Sequence, residues 1–90
     1  MISPEAVRFE LVKAEATETS AIYDATVTTS EGVGTARVYI EGASARIDGV
    51  ATGISEAHTT QLLAIGRTIG RRADEGWPRR IHRWRAPGVR

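Results

Sequence analysis

The sequence contains no cysteine, two histidines, three prolines and five aromatic residues among its 90 positions. Without thiols it can form neither a disulfide staple nor a thiolate metal site. A metal centre would have to combine His58 and His82 with carboxylates such as Asp24 or Asp48. Such centres need about three or four converging donors, and neither histidine has another at ligand spacing. His82 also lies among arginines, which oppose a cation. No metal and no cofactor are therefore expected. The opening residues, Met-Ile-Ser-Pro-Glu-Ala, carry neither the basic nor the apolar stretch of a secretory signal, which points to a cytoplasmic location. The longest unbroken apolar run, near Leu62–Gly66, is far too short to cross a bilayer, so no membrane partner is expected. There are no internal repeats and no low-complexity segment.

The signatures of catalysis are missing as well. Gly32-Val33-Gly34 begins like a dinucleotide fingerprint, but Arg37 stands where the third glycine belongs and a strand pattern follows instead of a helix. Gly66–Arg71 lacks both the glycine spacing and the lysine of a phosphate loop. Ser55, His58 and Thr59 are close in sequence, yet they open a helical pattern in which Ser55 has a capping role. No Gly-x-Ser-x-Gly elbow occurs. No catalytic residue is nominated, and the chain reads as a non-enzyme.

What is present suits a folded domain. Hydrophobic residues make up 41% and charged residues 26%, too apolar for disorder, and the length fits one domain, residues 1–90. The formal net charge of +1 conceals an asymmetry. Residues 1–66 hold nine acids (Glu5, Glu10, Glu15, Glu18, Asp24, Glu31, Glu41, Asp48, Glu56) against four bases (Arg8, Lys13, Arg37, Arg46), a net of −5. Residues 67–90 hold eight arginines against Asp74 and Glu75, a net of +6. A split of this kind marks either an interaction surface or a basic end that folds back on its own acidic body.

The apolar periodicity predicts a β-meander over residues 6–51. Val7, Phe9 and Leu11 share one strand face; Tyr23, Ala25 and Val27 share another; Ala36, Val38 and Ile40 form a third inward set. Thr17–Ser20 is a turn and Ser30–Gly34 a hairpin loop. A weaker fourth strand spans Ala45–Ala51, interrupted by Asp48-Gly49. Over residues 55–73 the period becomes helical. Ser55 is the N-cap, Glu56 suits the first turn, and Arg67, Arg71 and Arg72 suit the last. Leu62, Ile65 and Ile69, with Ala73 beyond, form the buried stripe, and Gly66 and Gly70 on an adjoining face allow close approach to a sheet.

Residues 76–90 form a basic, Trp- and Arg-rich C-terminal segment. As a strand, Arg79–Arg85 places Ile81 on one face and Trp84 on the other. As a short helix, Trp77, Ile81 and Trp84 fall on one stripe. Pro78 suits the first residue of a strand, which favours that reading. The fold class is thus α+β: an antiparallel sheet of three to four strands, one helix packed on one face, and a C-terminal basic strand or short helix. The strand–strand–strand–strand–helix order resembles that of Whirly-type single-stranded DNA-binding proteins, without a shared motif.

Two surfaces can bind partners. Arg79, Arg80, Arg83, Trp84 and Arg85 supply guanidinium forks and an aromatic plane, a set suited to carboxylates or phosphates. Trp77 and Ile81 are expected to be largely buried beneath them. Because one helix covers only one sheet face, Val12, Ile22 and Tyr39, with Val50, lie in the opposite strand phase and offer an oligomer face. The expected function is a small protein-interaction or assembly module, forming homo-oligomers or docking a protein partner. Nucleic-acid binding, single-stranded in particular, is the alternative. The acidic body and a pI near 8.3 favour protein.

Overall fold

A computed structural model describes residues 7–85, with side chains through residue 83. Alternation of apolar and polar residues builds three ten-residue strands, β1 (Val7–Ala16), β2 (Ser20–Thr29) and β3 (Gly32–Glu41). Alternate residues are buried over Val7–Leu11, Ala21–Val27 and Gly34–Ile40, as a sheet with one covered face requires. A short β4 (Ser44–Ile47) follows, then helix α1 (Glu56–Arg71), a 3-10 turn at Ala73–Glu75, and β5 (Arg80–Arg85). The sheet is antiparallel throughout, in the order β4-β3-β2-β1-β5. The class is α+β, with five strands against the expected three to four.

The fifth strand is the C-terminal segment, so the short-helix alternative does not form. β1 decides this: its outer edge would otherwise leave a row of peptide groups unpaired, and β5 takes that ladder from Val7↔Arg85 to Val12↔Arg80. Three boundaries also differ from the sequence reading. The hairpin between β2 and β3 is tighter, since Gly32 and Gly34 already belong to β3. β4 stops at Ile47, before Asp48-Gly49, where Gly49 turns the chain with φ 87°. The helix ends at Arg71; Arg72 is its C-cap and Ala73 enters the 3-10 turn.

Phe9, Leu11, Tyr23, Val27, Val38, Ile40 and Leu62 are the largest fully buried side chains, with Ile65, Ile69 and Ile81 beside them. Each such burial stabilises by roughly 1.5–3 kcal/mol, so this layer between sheet and helix dominates the fold energy. α1 packs chiefly against β3 and β4, where Gly66 and Gly70 are both buried. The Gly70 backbone lies directly against the Gly42 carbonyl in the β3–β4 turn. At the helix start Ser55 Oγ accepts the His58 N–H at 3.2 Å. Ser55→Ala should therefore destabilise by about 1 kcal/mol, lowering Tm by about 4–8 °C. An unchanged Tm in thermal unfolding would show that the cap contributes nothing.

Candidate functional site

The strand phase opposite the core leaves a second sheet face on which all five strands contribute, and no described residue forms a layer over it. Val12, Ile22 and Tyr39 all lie on this face. Ile22 and Tyr39 are direct cross-strand partners, and Val12 sits diagonally from Ile22 across the β1–β2 ladder. All three are half-buried. Over Tyr39 lies Arg46, whose guanidinium carbon stacks 4.6 Å from the ring centroid. Val50, also assigned to this face from sequence, is instead 85% exposed in the loop after β4, because that strand ends early.

Charge on the open face is balanced. Arg8, Arg37, Arg46 and Arg80 share it with Glu10, Glu15, Asp24 and Glu41. Arg37 Nε donates to Asp24 Oδ1 at 3.0 Å across β2 and β3. Glu10 gathers the basic strand: its carboxylate lies 2.9 Å from His82 Nε2, 3.7 Å from Arg80 and 3.8 Å from Arg8. The hydrogen bond with His82 first, and then the charges of His82, Arg8 and Arg80, hold the Glu10 carboxyl below its ordinary range, although partial burial opposes them. Sequence reasoning did not single out Glu10. Arg80 and His82 come from the far end of the chain, and no local pattern announces them.

The proposed arginine set is not one surface. Strand alternation sends Arg80 to the open face, whereas Arg83 is opposite Phe9 on the helix-covered side. Arg79 precedes the strand and gives its carbonyl to the Lys13 N–H at 2.9 Å. The Trp84 and Arg85 side chains lie outside the described residues; their backbones register with Arg8 and Val7. Ile81 is buried, but Trp77 is only half-buried. It packs against the margin of the core, where its indole Nε1–H donates to the Thr17 carbonyl of the β1–β2 turn at 2.8 Å.

Residues 77–79 are firmly seated. Besides the bonds from Trp77 and to Arg79, Lys13 Nζ donates to the Trp77 carbonyl at 3.2 Å and the Tyr23 hydroxyl donates to the Pro78 carbonyl. Tyr23 is fully buried, and burial pushes its phenol pKa up to about 12. Tyr23 from the core and the half-buried Lys13 at its edge thus hold the entry to β5.

The two histidines are far apart in role. His58 packs edge-on against Phe9 beneath the helix, with ring centroids 6.4 Å apart, while His82 pairs with Glu10 on the open face. Among the described residues no group of three or more metal-ligating side chains converges, and no helix is long and apolar enough to cross a membrane. The arrangement offers ion pairing and strand-edge contacts. In comparisons with known proteins, no family profile, curated protein or solved structure matches this chain.

Proposed function

We propose that this protein is a non-enzymatic assembly module that docks through its open sheet face, first of all with a second copy of itself, and uses the basic β5 edge to engage a protein partner. The observation that carries the reading is the balance of charge on that face, four basic side chains beside four acidic ones around Val12, Ile22 and Tyr39. A two-fold interface apposes a patch to itself, so a patch of one sign would repel its copy, whereas a balanced one can pair arginine with carboxylate. A strip that follows phosphates needs a run of one positive sign, and here Glu10 already sits between Arg8, Arg80 and His82.

The test is solution mass at micromolar concentration. The wild type should sediment as a dimer or larger, and Tyr39→Glu should shift it to monomer with the melting transition retained. A wild type that stays monomeric at high concentration would remove self-assembly. Nucleic acid is judged in the same preparation by titrating labelled single- and double-stranded oligonucleotides at two salt concentrations. Single-strand binding with a log–log salt slope of about −0.7 per phosphate, lost when Arg79, Arg80, Arg83 and Arg85 are changed to alanine, would overturn the protein reading.

A further inference from the structure

On the helix-covered side, the gap between the last turns of α1 and the start of β5 is a groove of about 410 Å³. Its apolar surface comes from Ile69, Trp77, Pro78 and Ile81, and its charged rim from Arg72, Arg83 and Glu75. We infer that this groove is a docking site for an acidic–apolar segment of a partner protein, one bulky apolar side chain entering the groove with a carboxylate beside it meeting Arg72 and Arg83.

Three observations support that occupant. The rim has two guanidiniums to one carboxylate, and among the described residues neither Arg72 nor Arg83 has a carboxylate within 4.0 Å. By contrast Arg8, Arg37 and Arg80 are each paired within the fold. Arg83 is partly positioned already, its guanidinium bonded to the His82 carbonyl at 2.8 Å, which leaves further N–H groups for a ligand. Finally, the wall at residues 77–79 is held by the bonds involving Thr17, Lys13 and Tyr23, so little ordering is needed when a ligand enters.

This inference rests on the basic edge being a protein-docking element, but it concerns the side of the sheet away from Tyr39, so the two readings fail separately. The isotope-labelled chain is titrated with the capped peptide Asp-Leu-Phe-Asp, with its Lys-for-Asp and Ala-for-Leu-Phe counterparts, and with phenylacetate. The acidic–apolar peptide should shift the Trp77 indole and the Gly76 and Ile81 amides, saturating below about 1 mM. The Arg72→Glu, Arg83→Glu double variant should weaken it about tenfold or more and prefer the lysine peptide. Arg72→Gln with Arg83→Gln should fall between. Tyr39→Glu should bind it like the wild type. No shift at these groups, equal binding of the lysine peptide, or indifference to both double variants would overturn the inference. Phenylacetate binding as tightly as the peptide would also overturn it, in favour of a small-molecule site. Absence of peptide binding in a protein that still dimerises would refute the groove alone.

Discussion

Adding one methyl group at position 70 is expected to destabilise this fold by about 3 kcal/mol or more. A side chain there would overlap the Gly42 carbonyl oxygen, a backbone atom, and would stand 2.9 Å from Ile40 Cγ2. Backbone in a tight turn cannot step aside as a flexible side chain can, so Gly70→Ala must part the helix end from the β3–β4 turn. Gly66 is the internal control. Its new methyl would meet side chains, Ala45 Cβ at 3.0 Å and Val38 Cγ1 at 3.3 Å. A shift of a few tenths of an ångström in the short edge strand β4, which carries Ala45, relieves the closer contact, and alanine is a better helix former than glycine by about 1 kcal/mol. Gly66→Ala should therefore remain within about 1 kcal/mol of wild type, whereas leucine at either position should overpack the interface. Thermal and urea unfolding of the two alanine variants decides the matter. Equal stability of Gly70→Ala and wild type would mean that the helix does not lie this close to the turn.

The second large effect is alkaline. The Tyr23 phenol titrates near 12 in the folded protein, raised by burial from an ordinary value of 10.0. Below pH 10 the phenol is protonated in both folded and unfolded chains, and its contribution is fully present. As pH rises from 10 toward 12 the unfolded chain ionises first, so stability is lost progressively across that window. A gap of this size corresponds to roughly 2–3 kcal/mol. Ionisation also removes the proton that Tyr23 donates to the Pro78 carbonyl, so β5 should loosen as the fold weakens. The measurement is the urea midpoint as a function of pH for wild type and Tyr23→Phe. The wild-type midpoint should fall steeply above pH 10 and the variant's less so. Parallel curves would mean that Tyr23 is not the group responsible.

Local features were legible in the sequence where local physics decides them. Alternation placed Phe9, Leu11, Tyr23, Val27, Val38 and Ile40 inward, and all six are buried. The change of period at Ser55 located the helix and its cap, and Leu62, Ile65 and Ile69 form its buried stripe. The C-terminal segment was harder, because Trp77, Ile81 and Trp84 satisfy a helical spacing as well as they do a strand. Its state depends on the vacant edge of β1, a partner more than sixty residues away for which no local pattern exists. The same distance hid Glu10 and the seating of Trp77. The arginines were recognised as a group, but only the strand geometry shows that Arg80 and Arg83 face opposite sides. The groove is less legible still, since the end of the helix, a 3-10 turn and an edge strand meet there only after folding.

The β1–β5 pairing also bears on how the chain comes off the ribosome. Glu10 and His82, partners in the finished sheet, are 72 positions apart, so β1 is among the first of these elements to be made and its second neighbour the last. Throughout that interval a nascent chain holding β1 to β4 and the helix carries an open strand of alternating apolar residues. Such an edge is a template for pairing with another unfinished chain. A stall or a cleavage between Arg72 and Arg80 would leave a protein with most of its core and no guard on β1, and the expected fate is aggregation. Once β5 emerges, the sheet still ends in an edge, but one lined with arginines, and charge on an edge strand discourages the pairing that the bare β1 would invite.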